Sequence, residues 1–295
     1  MAKEGKQRPA AVRVVRQLTV RYFQDTVSRS AAELAYYLLF ALFPTLIFLN
    51  AALSLLHLSE ESLPANLGAV LPPQVLEIIS SYLSYIQGLD ARVLLYACLV
   101  LAVYAISRAM VSLMRSVSRA YRIPRQGFLN SIIALIMAVA MMAVTVLLLV
   151  LLMVSENLLL QINQVVTVPP VLIQIWGFLR LTVAPLLMFG FLAGFYAVVS
   201  FGKYTFLQAL PGAGAAVVSW FVLTTGFSYY MSNFSRYSIL YGSLAAFMVL
   251  MLWLHLTGTV FIMGGELNHA LAQAQRAAHP ADELIIIKEE HPNGP

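Results

Sequence analysis

Charge is scarce in this sequence. Of its 295 residues 11% are charged and 60% hydrophobic, against about 25% charged in soluble domains. A water-soluble core of this length cannot hide so much apolar surface, so a soluble globular protein is excluded. Cysteine is nearly absent: there is one, Cys98, inside an apolar run. That excludes a disulfide framework and a thiolate metal site and makes Cys98 a small packing residue. Residues 1–30 are polar and basic with no apolar core, so no cleavable signal peptide is expected and the first apolar span takes the targeting role.

Catalytic patterns are missing too. The five histidines, His57, His255, His269, His279 and His291, are scattered. Only Glu266 and His269 share a helical face, two potential ligands where a catalytic zinc site takes three from the protein. There is no phosphate-cradling glycine loop with its lysine and no GxSxG turn. A nuclease needs a carboxylate cluster for metal ions or an exposed acid and base, and neither is visible. No enzyme, metal or cofactor is expected.

What the sequence has is long apolar runs. Six are near the roughly 20 residues that cross a bilayer core as a helix: 31–56, 93–113, 129–154, 175–200, 206–230 and 244–263. The expected fold is all-α, a polytopic bundle of six transmembrane helices. Residues 12–29 place Val14, Val15, Leu18, Tyr22 and Phe23 near one helical face and Arg13, Arg16, Arg21 and Arg29 largely elsewhere. That pattern predicts an interfacial helix whose basic side chains reach anionic lipid. Val75, Leu76, Ile79, Leu83 and Ile86 predict a second amphipathic helix, on the outer surface. The expected regions are thus a basic tail and interfacial helix (1–30), a membrane domain (31–271) and a polar, disordered tail (272–295).

Orientation follows from lysine and arginine placement. With the N-terminus cytoplasmic, 15 of the 18 fall inside. Both termini are therefore expected in the cytoplasm.

Three stretches resemble one family. They are AAELAYYLLFALFP from Ala31 to Pro44, LQALPGAGAA from Leu207, and YGSLAAFMVLMLWLHLTGTVFIMGGELNHAL from Tyr241 to Leu271. In that order and spacing they resemble the YihY/BrkB family of bacterial inner-membrane proteins. The family's marks fall on Leu34 to Tyr37 with Phe43 and Pro44, on Pro211 to Ala213, on Tyr241 to Ser243, and on Gly264 or Gly265 with Glu266 and Asn268. Glu33 departs from the pattern, where many relatives carry a small apolar residue. The resemblance implies the bacterial cytoplasmic membrane and a family widely labelled ribonuclease BN, a label regarded as a misassignment. Some members are linked to virulence or to lipid and envelope transport. No catalytic residues come with it.

Site candidates are therefore the charges themselves, since an ionisable group in a span costs about 2.5–3.5 kcal/mol at the centre. Glu33, Arg108, Lys203 and Glu266, with Asn268 and His269, are expected at the cytoplasmic ends of their helices, lining a polar mouth for an anionic headgroup or a coupled proton. An ion-pair clasp between helices is the plainer reading. Glu156 and Arg180 form a candidate outer pair. Arg115, Arg119, Arg122 and Arg125 lack the interleaved aromatics suited to base stacking; anionic membrane lipids are their expected partners, not nucleic acid, and a homo-oligomer is left open. Three function classes follow: transport of an amphipathic or anionic, lipid-related substrate first, a membrane scaffold second, a membrane-associated hydrolase third.

Overall fold

The computed structural model describes residues 10–55, 91–124, 127–153, 170–232 and 243–278. The expected outer helix around 73–87, Glu156, Arg125 and the tail beyond 278 lie outside these residues, as does the side chain of Arg180. Within them the chain is helical: α1 (Ala10–Gln24), α2 (Val27–Leu55), α3 (Ala91–Ala120), α4 (Gly127–Met153), α5 (Pro170–Val199), α6 (Phe206–Ser232) and α7 (Ser243–Ala278). The last six are long and apolar enough to cross a membrane. Helices are what hydrocarbon allows, because each satisfies its own backbone.

The bundle is built around α7, which packs against α1, α2, α3 and α6. α2 runs along α3 more extensively than any other pair. Small residues permit this: Ala31, Ala35, Ala102, Ala105 and Ala109 are buried, and a Cβ on Gly258 of α7 would press within 3.2 Å of Leu34 Cδ2 and 3.3 Å of Ala31 O. Large apolar side chains point outward instead. Phe128, Ile136, Leu186, Val218 and Val222 are exposed, as expected of a surface bathed in acyl chains.

Two helices run further than the apolar runs suggest. The second span continues past residue 113, because Met114, Val117 and Ala120 are buried and the arginines between them turn outward or find partners. Arg108 consequently lies near the middle of the Leu95–Ala120 span, not at its cytoplasmic end. α7 likewise passes through Glu266 and continues to Ala278, into the stretch expected as a disordered tail.

The turns at this end are specific. α3 closes with Ile123 N–H donating to Ser118 O at 3.0 Å and Arg122 N–H to Arg119 O at 3.1 Å, around a left-handed Arg122 (φ 54°). This is a Schellman closure, which glycine usually fills. Arginine occupies it here with its side chain anchored on Asp25, and Pro124 then prevents helix continuation. Thr26, also left-handed (φ 51°), turns α1 into α2.

Candidate functional site

The polar groups concentrate where α1, the α3 terminus, the α5–α6 turn and α7 meet. Glu266 on α7 is fully buried and receives Arg21 Nη1 at 3.3 Å. The other arm of Arg21 donates to Gln273 Oε1 at 2.8 Å. Glu266 and Gln273 are seven residues apart, so they share one face of α7, and α1 lies along it. The Asp25 carboxyl also approaches Glu266, while Glu266 Oε1 has no donor among the described residues.

Asp25 is buried as well and is gripped by Arg122, whose two terminal nitrogens stand 3.2 and 3.4 Å from its two oxygens. Such a fork is the strong form of the arginine–carboxylate bond. Arg119 reaches the same turn from α3, donating to Asp25 O and Thr26 Oγ1 at 3.1 Å and to Ser30 Oγ at 3.4 Å. Two arginines thus pair with two carboxylates, and a third holds the turn beside them. Lys203 adds a fourth cation nearby, donating to Tyr121 O at 2.6 Å and so capping the negative end of α3.

A second polar network lies beside the ionic one. The Tyr204 hydroxyl and His269 Nδ1 are 2.6 Å apart, and the rings of Tyr121 and Tyr204 meet edge to face at 4.9 Å between centroids. Burial pushes the Tyr121 phenol above its usual range, so it stays neutral. Asn268 Oδ1 accepts from Gly212 N–H at 2.7 Å, and its Nδ2 donates to Ala209 O at 3.1 Å and to Tyr121 OH at 3.4 Å. The asparagine amide thus binds the backbone on both sides of Pro211. The approach is close: a Cβ on Gly212 would collide with Gly264 O and lie 2.5 Å from Asn268 Cγ. Pro-Gly-Ala in α6 and Gly-Gly-Glu-Leu-Asn in α7 are therefore two halves of one contact.

The sequence candidates divide. Glu266, Asn268, His269 and Lys203 fall in this region. Arg119 and Arg122 bind the α1–α2 turn here, with Arg122 half in solvent. Glu33, Arg108 and Arg115 make their contacts elsewhere: Glu33 pairs with Arg115 at 3.7 Å, and Arg108 donates to Tyr37 OH at 3.4 Å. Arg21 and Asp25 were not among the candidates, and Arg21 faces α7 instead of lipid. A signal existed: Val14, Gln17, Leu18, Arg21 and Asp25 fall at three- and four-residue steps, one face of a helix. That face is turned to the protein, leaving Val15 and Phe23 exposed.

Six apolar helices, among them α7 packed against α2, α3 and α6, with an ionic cluster beneath an amphipathic N-terminal helix, define a polytopic α-helical membrane protein. The chain belongs to the virulence factor BrkB family, whose sequence profile matches residues 18–284. It is 26% identical over 264 residues to the ribonuclease-like protein YfkH of Bacillus subtilis (strain 168), covering 89% of this chain and 96% of that relative. It is 33% identical over 92 residues to a UPF0761 membrane protein of Vibrio vulnificus (strain CMCP6), covering 31% of this chain and 29% of that protein. A UPF0761 membrane protein of Xanthomonas campestris pv. campestris (strain B100) is 34% identical over 77 residues, 26% of this chain and 18% of that protein. No solved structure matches.

Proposed function

We propose that this protein moves an amphipathic, anionic, lipid-related substrate across the bacterial cytoplasmic membrane, with both termini in the cytoplasm, and that the cluster under α1 is the cytoplasmic gate of the path. The observation that carries this reading is the fully buried Glu266, held by Arg21 yet with one oxygen lacking a donor. Desolvating such a pair costs several kcal/mol per ion, and apolar residues of equal volume often stabilise as well or better. A fold seeking only stability has no need of it; a two-state element does. Arg21 ties α1 to Glu266 and Gln273 of α7, and when α1 lifts and carries Arg21 away, Arg119, Arg122 and Lys203 are left as a cationic rim matched to an anionic headgroup.

The runner-up is a static clasp in a scaffold that binds a partner or anionic lipid through its basic face. It is favoured by the fact that all three carboxylates among the described side chains, Asp25, Glu33 and Glu266, are arginine-paired. The ribonuclease-like label of the Bacillus relative suggests a hydrolase, but a metal-dependent nuclease uses carboxylates free to bind ions.

The test is reconstitution into liposomes with a fluorescent phospholipid and a membrane-impermeant quencher. Native protein is expected to move lipid between leaflets, with Glu266→Gln and Arg21→Ala altering the rate. Native protein at the empty-liposome background removes the transport reading and leaves the clasp. Orientation is checked in a Cys98→Ser background by thiol labelling at positions 16 and 60, expected to react from opposite sides.

A further inference from the structure

A second set of charges faces outward. On α3, Tyr96, Val100 and Tyr104 recur every four residues and are all exposed; Arg108, partly buried, takes the next step, Ser112 after it is buried, and Arg115, seven residues beyond Arg108, is exposed on the same side. Arg108 is twelve residues before Ala120, about 18 Å along the helix, near the middle of its span. Its guanidinium sits 5.5 Å over the Tyr37 ring and donates to the Tyr37 hydroxyl. One turn toward the start of α2, Glu33 meets Arg115 at 3.7 Å, both nearly half exposed. Tyr36 and Phe40 stand exposed alongside.

A cation at that depth carries an insertion cost of about 2.5–3.5 kcal/mol. The Tyr37 ring and hydroxyl, with Glu33 nearby, offset only part of it. The bond to Tyr37 is long and uses one of five guanidinium donors, and the Glu33–Arg115 separation exceeds hydrogen-bond length. An apolar side chain would suit the ridge better unless an anion visits it. What borders this face is hydrocarbon, so the anion that can arrive is the headgroup of a lipid whose tails remain beside Val100 and Phe40. The planar guanidinium fork matches phosphate oxygens.

We infer that the outer face between α2 and α3 is a headgroup track, along which the phosphate of an anionic phospholipid passes between Arg115 at the cytoplasmic end and Arg108 at mid-span. The loose Glu33–Arg115 pair parts to admit it, and Tyr37 and Tyr104 offer hydroxyls to the headgroup. Arg119, one turn beyond Arg115, joins the track to the cluster under α1. The inference rests on the transport reading and names the wall of the path.

The test uses the full chain in vesicles doped with phosphatidylglycerol bearing a photoreactive headgroup, with lipid movement measured in the same vesicles. Adducts are expected on the residue 96–108 peptide, deeper than a headgroup normally lies. They should fall about tenfold in Arg108→Leu, the scale of a lost charge-assisted bond, and return in Arg108→Lys. A matching photoreactive diacylglycerol, which lacks phosphate, should give none at that depth. Equal adducts in Arg108→Leu, adducts confined to Arg115 and beyond, or chain-to-chain cross-links in place of lipid adducts each overturn the track. Lipid movement without mid-span adducts removes the track and leaves transport standing. Mid-span adducts without lipid movement remove transport and leave a static headgroup site.

Discussion

Glu266 and Glu33 are both glutamates in membrane-spanning helices, and each pairs with an arginine, at 3.3 and 3.7 Å. The surroundings differ. The side chains of the first pair are 0% and 10% exposed, for Glu266 and Arg21; those of the second are 45% and 43% exposed, for Glu33 and Arg115. Where nothing else can reach the carboxylate, its arginine becomes obligatory, because removal strands a charge. Where lipid headgroups or water can take over, the arginine is one partner among several. The buried pair therefore suits a latch with two states, and the exposed pair suits traffic.

The sharpest way to break that contrast is to remove one half of each pair. Arg21→Ala is expected to destabilise the protein by about 3–5 kcal/mol, the usual result of leaving a buried charge uncompensated. Thermal melting in detergent reads this directly. The double variant Arg21→Met with Glu266→Met should recover most of the loss while abolishing gated lipid movement. If Arg21→Ala melts with the native protein, the pair is not sealed and the gate loses its basis.

Next in size is the seam that holds the buried region shut. A Cβ on Gly264 would stand 2.5 Å from the Tyr196 hydroxyl and 2.8 Å from Gly212 O. Gly264→Val must push α7 from α6, at about 3 kcal/mol, seen as a lower melting temperature. Asn268→Leu is expected to lose about 2 kcal/mol by the same measurement, because the Gly212 N–H and Ala209 carbonyl lose a partner in a buried site.

The smallest effect belongs to the exposed pair. Glu33→Gln should shift stability by less than about 1 kcal/mol, and added salt should shrink the difference further. A loss as large as that of Arg21→Ala would mean that the two pairs are alike and the contrast is void.

Much of this arrangement was legible in advance. Six spans follow from apolar length alone, and the three-residue step from Glu266 to His269 puts those two on one face of α7, with Asn268 in the same turn. The partner of Glu266 was not legible, since Arg21 lies 245 residues away in sequence on a short helix whose arginines all look bound for lipid. The reach of the buried face of α3 was hidden for another reason: Arg115 and Arg119 interrupt its apolar run, while Met114, Val117 and Ala120 remain buried. Hydropathy registers charge along the chain and cannot see which side of the helix carries it.

The sequence by itself determined that this protein lives in a bilayer as a set of helices, because hydrocarbon admits no unsatisfied backbone and the apolar runs have the length to cross it. It also determined that the few ionic groups matter, since each is costly in that medium. Only the tertiary structure decided which of them meet. Packing of α1 against α7 converts Arg21 from a lipid anchor into the counter-ion of Glu266, and packing of α2 against α3 sets Arg108 over the ring of Tyr37. Pairing and exposure depend on neighbours distant in sequence, and no local pattern encodes them.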